Sequence, residues 1–382
     1  MDRGGARRLS RAATVDDYRQ LARKRLPSFL FHYVDGAAGD ERTARANLSD
    51  LANVELRQRT MINVGSVSTE TTVLGQAMKM PVGLGPVGLA GLMARRGEVQ
   101  AFAAAREAGI PFCLSTLGVC SLEEVSEAAG EAPWFQLYHF RDKHVMAELL
   151  SRTREAGVRV LVLTVDVPVS GIRHRDRRHG LTGTIWDHAP QVLSRPRWCW
   201  DVAMNGRPLV FGSIARSVPS ATKLGDFWGW LSRNFDPTLD LEAVAAVCES
   251  WQGPVIVKGI MSRHDARKAL DAGASGIVVS NHGGRQLDGV SSSITVLQNI
   301  VSEVDGKVPV LFDGGIRSGL DVVRALTVGA DMCLLGRAWT FALAAGGKAG
   351  LSQFLTDLQA QIANAMALTG AVRVGDLKIA PP

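Results

Sequence analysis

The sequence predicts an α/β fold, a barrel of eight parallel strands that alternate with helices. Eight short apolar segments recur along the chain, and each is followed by a segment with the apolar spacing of a helix. Because these strand candidates are continuously apolar and do not alternate with polar residues, both of their faces are expected to be buried, as in parallel sheets. Eight such units in about 260 residues match the usual length of a (β/α)8 TIM barrel.

The strand candidates are rich in Val, Leu and Ile, and in chain order they are Pro81–Pro86, Phe112–Ser115, Trp134–Tyr138, Val160–Asp166, Val255–Lys258, Gly276–Ser280, Val308–Asp313 and Asp331–Gly336. Helices are predicted between them at 98–108, 122–129, 146–156, 263–272 and 319–328. Three of these helices run into an Ala-Gly pair before the next strand, and glycine commonly ends a helix. A helical N-terminal segment, 14–50, and a C-terminal helix, 350–368, are expected to pack outside the barrel.

The connection after the fourth strand is far longer than the others, because nearly 90 residues separate Asp166 from Val255. Within it, 177–233 is interpreted as an inserted loop of a single domain that covers 1–382. So long a connection usually has a function. It holds Trp186, Trp198, Trp200, Trp228 and Trp230, and between Arg173 and Arg233 ten basic residues stand against four acidic ones. A lid over the barrel mouth and a membrane-binding surface both remain open.

The overall charge is mild. The chain has 43 Lys and Arg residues against 37 Asp and Glu, a formal net charge of +6 that does not indicate nucleic acid binding. The five cysteines form no CxxC pair, so we expect no metal site and a reducing compartment. Neither a signal peptide nor an apolar segment of membrane-spanning length is recognised. A cytoplasmic protein is therefore expected, with peripheral binding to the cytoplasmic face of the inner membrane as the alternative.

Polar side chains collect at the carboxyl ends of the strand candidates, the face of a parallel barrel where active sites are built. In chain order the strands deliver Val87 and Gly88, Ser115, Gln136 and Tyr138, Thr164 and Asp166, Lys258, Ser280 and His282 with Arg285 just beyond, Asp313 to Arg317, and Gly336 with Arg337. A single tyrosine or threonine at a strand end is usually a hydrogen-bonded rim residue. The set as a whole predicts a catalytic site.

Two glycine-containing turns within this set predict a phosphate site. Gly314 and Gly315 precede Arg317 after the seventh strand, and Gly336 precedes Arg337 after the eighth. Backbone N–H groups and guanidinium groups at these positions are where barrels of this kind bind phosphate. A phosphorylated cofactor is therefore expected, and tight turns with surface arginines are the structural alternative.

Five motifs at the strand ends resemble those of one family. They are S-N-H-G-G-R-Q-L-D-G (280–289), F-Q-L-Y (135–138), T-V-D (164–166), V-K-G (257–259) and F-D-G-G-I-R (312–317). Together they are similar to the FMN-dependent α-hydroxy-acid dehydrogenase and oxidase family, over nearly the whole chain. The resemblance implies FMN as cofactor, a small (S)-2-hydroxy acid as substrate, and a homo-oligomer, in this family a tetramer.

The resemblance implies roles for the residues near the substrate. His282 matches the base that accepts a proton from the substrate, and Asp166 matches the carboxylate that holds this histidine and stabilises its protonated form. Arg285 and Arg173 would bind the substrate carboxylate, since a planar guanidinium meets a planar carboxylate with two hydrogen bonds. The hydroxyl donors would be Tyr33 and Tyr138.

On the cofactor side, the resemblance places Lys258 beside N1 and O2 of the flavin, where a positive charge favours the reduced form. Hydrogen bonds to the flavin ring and ribityl chain would come from Ser115, Gln136, Thr164 and Ser280. The remaining cofactor contacts are assigned to Val87, Gly88, Asp313, Gly314, Gly315, Arg317, Gly336 and Arg337.

Two positions bear on substrate and electron acceptor. Leu117 stands at a pocket position that varies in the family from bulky aromatic to small, which favours a short aliphatic acid such as L-lactate, oxidised to pyruvate. Gly88 stands where several oxidases of the family carry alanine, which favours a dehydrogenase that passes electrons to a quinone or another carrier. The alternatives are a mandelate-type dehydrogenase and an oxidase that uses oxygen.

Two alternative functions lie outside this family. Another flavin- or phosphate-binding barrel is disfavoured because His282, Arg285 and Arg173 together suit a small carboxylate beside a base. A non-catalytic membrane or interaction module is supported by the basic, tryptophan-rich insertion alone.

Overall fold

The chain folds as a barrel of eight parallel strands with helices on its outer face, as the sequence predicts. The computed structural model describes residues 9–181, 185–218 and 224–378. A hairpin of β1 (Thr71–Val73) and β2 (Gln76–Met78) precedes the barrel strands β3 (Val82–Leu84), β4 (Cys113–Ser115), β5 (Trp134–Tyr138), β6 (Leu161–Thr164), β7 (Val255–Ile260), β8 (Gly276–Val279), β9 (Val310–Phe312) and β10 (Met332–Leu335). Their order is β3-β10-β9-β8-β7-β6-β5-β4, and a parallel bridge between Leu84 and Phe112 joins the two end strands.

The strands are apolar throughout because each of them contributes to two cores. On β6, Val162 packs in the barrel interior, whereas its neighbours Leu161 and Leu163 pack against the surrounding helices. Successive side chains of a strand point to opposite faces, so one buried strand fills both spaces. The β1–β2 hairpin, which the sequence did not predict, adds Val73 and Met78 to the interior cluster.

Helices connect the strands close to the predicted bounds, at Gly97–Glu107, Leu122–Ala129, Lys143–Glu155, Arg263–Asp271 and Gly319–Val328. The side chains that cap these helices accept hydrogen bonds from backbone N–H groups of the first turn, as at Ser121, Asp142, Ser262 and Ser318. The helices Leu241–Ser250 and Ser293–Val304 complete the outer layer. Side-chain caps therefore help to fix where these four helices begin, whereas Gly97–Glu107 begins without one.

The N-terminal segment forms the helices Val15–Arg25, Ser28–Asp35 and Arg42–Ala52. The last of these begins against the loop that follows β8, where Asp288 accepts hydrogen bonds from the backbone N–H of Asp40 (2.9 Å) and of Thr43 (2.8 Å). The C-terminal helix is longer than predicted and covers Arg337–Leu368, with a break at Gly347 (φ 61°). The N-terminal helices thereby become part of the barrel mouth.

The long insertion is largely helical where it is described, with helices at His174–Arg178, Ile185–Leu193, Pro196–Trp198 and Leu224–Asn234 and a π-helix at Cys199–Met204. Its middle part is fixed to the barrel. Trp198 is buried and donates a hydrogen bond to the carbonyl of Leu92 (2.7 Å), and Arg96 donates to the carbonyls of Gly206 and Pro208. Parts of the predicted 177–233 segment, including Lys223 and the side chain of Trp186, lie outside the described residues.

Within the described ranges, no helix combines the length and the apolar character needed to cross a bilayer.

Candidate active site

A cavity of about 600 Å³ opens at the carboxyl ends of the strands. All but three of the predicted site residues line it: Tyr33, Val87, Gly88, Gln136, Tyr138, Thr164, Arg173, Lys258, His282, Arg285, Asp313, Gly314, Gly315, Arg317, Gly336 and Arg337. The other three, Ser115, Asp166 and Ser280, lie behind the lining and bind to residues that form it. The fold therefore brings most of the residues that the sequence predicts for the site to one cavity.

The register of neighbouring strands sets polar side chains side by side at the cavity. Tyr138 on β5 pairs with Thr164 on β6, and Thr164 pairs with Lys258 on β7. The strand β7 bulges after Lys258, and a Cβ added to Gly259 would lie 2.6 Å from Cβ of Asp166. The glycine of V-K-G therefore leaves room for the aspartate that follows β6.

His282 and Asp166 form a hydrogen-bonded pair, with Nδ1 of the histidine 3.0 Å from Oδ1 of the aspartate. Burial alone would raise the pKa of Asp166, but His282 and then Lys258 lower it below its usual value. The carboxylate is therefore ionised near neutral pH and accepts the hydrogen of Nδ1, which leaves the lone pair of the imidazole on Nε2.

The turn that carries His282 is strained and firmly supported. His282 has φ 58°, a conformation that non-glycine residues rarely adopt. Its backbone N–H donates to Oγ of Ser280 (3.0 Å). A Cβ on Gly284 would lie 2.7 Å from the backbone nitrogen of Ala44, so the second glycine lets the N-terminal helix approach.

A reciprocal pair of buried amides fastens this turn to the N-terminal helix. Asn47 and Asn281 each donate to the other's side-chain oxygen at 2.8 Å. Asn281 also accepts a hydrogen bond from the backbone N–H of Gly284, and Asn47 accepts one from that of Ser293. Both amides are thus satisfied inside the protein, which favours a single geometry of the turn.

Two arginines face the cavity beside His282. Nε of Arg173 donates to the carbonyl of Arg285 (3.2 Å), while Nη1 of Arg285 donates to the carbonyls of Tyr33 (2.6 Å) and Gly36 (2.8 Å). These two carbonyls lie at the C-terminal end of the helix Ser28–Asp35, where a cation is favourable. Burial and the neighbouring Arg173 lower the pKa of Arg285 to about 9, which still leaves it protonated at neutral pH.

The two tyrosines of the cavity are neutral hydroxyl groups. Burial raises the pKa of both above the usual value, and Asp166 adds to the effect at Tyr138. The hydroxyl of Tyr33 donates to the carbonyl of Gly88 at 3.4 Å. Both side chains can therefore donate a hydrogen bond to an oxygen of a bound acid.

Lys258 is a buried cation with defined partners. Its Nζ lies 2.7 Å from Oγ of Ser280 and 2.8 Å from Oδ2 of Asp313. Burial alone would lower the pKa of Lys258, but Asp313 and Asp166 raise it above the usual value. Oδ1 of Asp313 is buried and has no hydrogen-bond partner among the described residues, so it is available to a donor on a ligand.

A chain of polar side chains crosses three neighbouring strands. Ser115 on β4 donates to Oε1 of Gln136 on β5 (3.1 Å), and Nε2 of Gln136 donates to Oγ1 of Thr164 on β6 (3.0 Å). Ser115 and Ser280 thus orient lining residues through contacts that the sequence did not predict. Direct contacts of their hydroxyls with a cofactor remain a prediction.

The two glycine turns are shaped as a phosphate site requires. Gly314 and Gly315 have φ of 110° and 94°, and added Cβ atoms would lie 2.2 Å from Oγ of Ser293 and from the carbonyl oxygen of Asn47. No side chain fits there, and both glycines line the cavity, where backbone N–H groups suit a phosphate. Gly336 precedes the helix Arg337–Leu368, whose N-terminus also faces the cavity.

The arginines of the two turns differ in their partners. Arg337 donates through all three of its nitrogens, to the carbonyls of Val34, Gly283 and Gly36. Arg317 donates to the carbonyl of Ile316 (2.8 Å), and burial lowers its pKa to about 10. Arg317 therefore has more capacity left for an anion than Arg337 has.

Sequence reasoning named Trp228 as one of five tryptophans that could form a lid, and it missed the other residues of this part of the cavity wall. Trp228, Leu231 and Phe235 line the cavity from the insertion, and Val167 and Leu181 lie beside them. Trp228, Leu231 and Phe235 are three and four positions apart, which places them on one face of the helix Leu224–Asn234 and its C-terminal end. That spacing was the available signal. Of the insertion tryptophans, Trp198 is buried and Trp230 packs on Phe140, whereas Trp200 is 65% exposed.

Residues 22–380 match the sequence pattern of a family described as FMN-dependent dehydrogenase. The chain is 49% identical over 363 residues to the L-lactate dehydrogenases of Yersinia pestis (strain Pestoides F) and Yersinia pseudotuberculosis (serotype O:1b, strain IP 31758), covering 94% of this chain and 95% of each relative. Among solved structures, it is similar to mandelate oxidase with (S)-4-hydroxymandelic acid, at 37% identity and a TM-score of 0.82, over 96% of this chain and 97% of that one. It is also similar to the monotopic membrane protein (S)-mandelate dehydrogenase, at 34% identity and a TM-score of 0.87, over 96% and 98%.

These similarities and the geometry of the site both indicate an oxidoreductase that binds a flavin and acts on a small hydroxy acid. The chain belongs to the FMN-dependent dehydrogenase family, and its cofactor is FMN. The described residues fit that cofactor: the two glycine turns and Arg317 suit its phosphate, and the unpaired Oδ1 of Asp313 suits a hydroxyl donor. The fold, family and cofactor that the sequence predicts are therefore confirmed.

Proposed function

We propose that this chain oxidises L-lactate to pyruvate and that its electrons pass to a quinone. The carrying observation is that the His282–Asp166 pair and the arginines Arg173 and Arg285 face one cavity. FMN, when bound, supplies the acceptor for two electrons. The identity of 49% to proteins named L-lactate dehydrogenase supports this substrate.

The protein's own residues bind the acid and move its proton. The guanidinium groups of Arg173 and Arg285 bind the substrate carboxylate, which fixes the hydroxyl-bearing carbon beside His282. Nε2 of His282 accepts a proton from the substrate, and the ionised Asp166 stabilises the imidazolium that results. The neutral hydroxyls of Tyr33 and Tyr138 donate to substrate oxygens.

Other residues hold the cofactor. Lys258 provides a fixed positive charge near the flavin ring, with Gln136 and Thr164 as hydrogen-bonding partners. The remaining contacts come from backbone groups of Val87, Gly88, Gly314, Gly315 and Gly336 and from the side chains of Asp313, Arg317 and Arg337. Ser115 and Ser280 orient Gln136 and Lys258.

The helix Leu224–Asn234 acts as a lid on the substrate side. Its apolar residues Trp228 and Leu231, with Phe235, line the cavity together with residues of the strand ends. An apolar cover excludes water from the reacting groups and strengthens the charge interactions beneath it.

A substrate panel tests the function. The purified holoenzyme is mixed without oxygen with L-lactate, 2-hydroxybutyrate, glycolate and (S)-mandelate, and flavin absorbance is followed. L-lactate is expected to give the highest kcat/KM. Mandelate is the second candidate, favoured by the aromatic side chains of Trp228 and Phe235 in the wall. Absence of bleaching with all four acids would contradict the proposed function.

An exposed apolar surface on the insertion supports peripheral membrane binding, which would bring the enzyme to a lipid-soluble quinone. Leu193, Trp200 and Met204 are 74%, 65% and 56% exposed. In the sequence, Arg197 lies between Leu193 and Trp200, and Arg207 follows Met204. Indole and basic groups together favour an anionic interface. The solved relative described as a monotopic membrane protein agrees with this surface.

Liposome sedimentation tests the membrane proposal. The wild type is expected to sediment with anionic liposomes at low salt, and a Leu193→Ser, Trp200→Ser variant to remain in the supernatant with flavin reduction unchanged. Leu368→Ser removes an exposed leucine elsewhere and serves as control. A wild type that does not sediment would show that the surface has another role. Reoxidation of the reduced enzyme by a ubiquinone analogue, compared with oxygen, tests the acceptor.

The assembly is proposed to be a homotetramer, as the family resemblance implies. Light scattering of the holoenzyme measures its mass directly, and a monomer mass at micromolar concentration would contradict the proposal.

A further inference from the structure

Asp176 is a partly buried carboxylate beside the two arginines, and it has no role in the proposed reaction. It lies on the short helix His174–Arg178 and lines the cavity together with Arg173 and Arg285. Its side chain is 15% exposed, and its Oδ2 lies 3.6 Å from Nη1 of Arg173. Its Oδ1 is buried with no hydrogen-bond partner in the described part of the chain. A carboxylate so placed depends on nearby positive charge.

The three side chains are electrostatically coupled. Burial raises the pKa of Asp176 above its usual value, although Arg285 and then Arg173 act in the opposite direction. Burial and Arg173 lower the pKa of Arg285, and Asp176 acts against them. Each arginine thus repels the other, and the aspartate attracts both. With its carboxylate ionised, Asp176 reduces the formal charge of the Arg173–Arg285 pair from +2 to +1, and Arg337 adds a further repulsion at Arg285.

We propose that Asp176 is the resident counter-ion of the Arg173–Arg285 pair, limiting the pair to one monocarboxylate and setting how readily the product acid leaves. The inference rests on the proposed function, in which these arginines bind the substrate carboxylate. One carboxylate of the substrate brings the cluster to neutrality. A second negative charge would lie near the carboxylate of Asp176, which repels it. The site therefore selects hydroxy acids with a single carboxylate.

A purely structural role of Asp176 makes the opposite prediction. If the carboxylate only held Arg173 in position, its removal would loosen the arginine and weaken the binding of every acid. If the carboxylate is the counter-ion, its removal leaves two uncompensated cations and strengthens the binding of acids. The sign of the change in affinity therefore separates the two roles.

The experiment titrates the oxidised holoenzyme with pyruvate, a monoanion, and with oxalate, a dianion, and follows the flavin spectrum. The variants are Asp176→Asn and Asp176→Ser, with Asp305→Asn as a control that removes an exposed charge far along the chain. Both neutral variants are expected to bind pyruvate roughly tenfold or more tightly, because a like charge within a few ångströms is gone. Oxalate should gain by a larger factor because it carries two charges, and pyruvate should dissociate more slowly.

Weaker or unchanged binding of pyruvate in the neutral variants, or a gain for oxalate no larger than that for pyruvate, would overturn the proposal. Loss of flavin from both neutral variants would also overturn it, because the carboxylate would then be needed for the site to form. A wild-type holoenzyme that responds neither to hydroxy acids nor to pyruvate would instead contradict the proposed function, so the two failures are distinguishable.

Discussion

Nδ1 of His282 lies 3.0 Å from Oδ1 of Asp166, although 116 positions separate the two residues in the chain. The aspartate follows β6 and the histidine follows β8, and β7 lies between these strands in the barrel. The pair therefore exists only when the barrel is formed. Because the carboxylate holds Nδ1, it acts on the reaction through the histidine.

We predict that His282→Gln slows substrate-dependent flavin reduction by roughly 10²–10⁴, the range for loss of a positioned base. Asp166→Asn should slow it as well, because the imidazolium loses its ionised partner. Since Asp166 acts through His282, the double variant should be no slower than the slower single variant. Anaerobic stopped-flow measurement with L-lactate checks all three. Multiplicative losses in the double variant would show that Asp166 acts independently.

Arg285→Lys retains the charge and loses the planar fork, so we predict a loss of about 2–5 kcal/mol in substrate binding and transition-state stabilisation. The carbonyls of Tyr33 and Gly36 also lose their donor, which should lower the melting temperature. The affinity for FMN should change little. Arg177→Lys, at an exposed arginine of the cavity rim, is the matched control and should behave as wild type. A variant that loses FMN would place Arg285 at the cofactor.

Asn47→Leu is predicted to weaken FMN binding and slow flavin reduction, although Asn47 lies on an N-terminal helix outside the barrel. The substitution leaves the buried amide of Asn281 without its partner, at a cost of about 1–3 kcal/mol. It also disturbs the contact beneath Gly315, where the carbonyl of Asn47 fills the space of a side chain. Fluorescence titration of FMN and stopped-flow reduction measure the two effects, with Ser49→Ala as control. Lower stability with unchanged FMN affinity and rate would limit Asn47 to a structural role.

The rings of His32 and His179 are stacked with centroids 3.5 Å apart and planes 10° apart. Burial, then His179 and Arg175, lower the pKa of His32 to about 4, while Asp35 opposes them. Nδ1 of His179 contacts Oγ of Ser28 at 3.2 Å, and burial with Arg175 and Arg178 also lowers the pKa of His179. Both rings are thus held neutral where the N-terminal helix meets the insertion.

A pKa that is lower in the folded than in the unfolded state means that the unfolded chain binds more protons, so stability is lost as the pH falls. For His32 this window runs from its unfolded value of about 6.5 down to about 4. We predict that, as the pH falls through this window, the free energy of unfolding decreases less steeply for His32→Phe, which keeps a ring, than for wild type. Denaturant unfolding at pH 7 and pH 5 checks this, with the exposed His264→Gln as control. Parallel pH dependences of variant and wild type would contradict the prediction.

The sequence by itself determined the barrel and predicted most of the polar residues that line its cavity. Continuous apolar strands require cover on both faces, and a parallel barrel supplies it, so the strand ends predict where functional side chains meet. The predicted helix bounds agreed with those of the structure because capping residues and C-terminal glycines act locally. Most of the residues predicted to bind FMN and substrate follow directly after a strand, and the exceptions are Tyr33, on an N-terminal helix, and Arg173, in the insertion.

The contacts that join those residues to one another and to the rest of the protein were decided by the tertiary structure alone. The reciprocal amides of Asn47 and Asn281, the partners of Arg337 and the position of Asp176 beside Arg173 and Arg285 depend on segments far apart in the chain. The lid face of Leu224–Asn234 carries a helical spacing, but spacing does not say against what a face packs. Local sequence patterns indicate which surface of a segment is buried. The distances between charged groups and the set of residues that line a cavity are determined only when the barrel brings separate segments together.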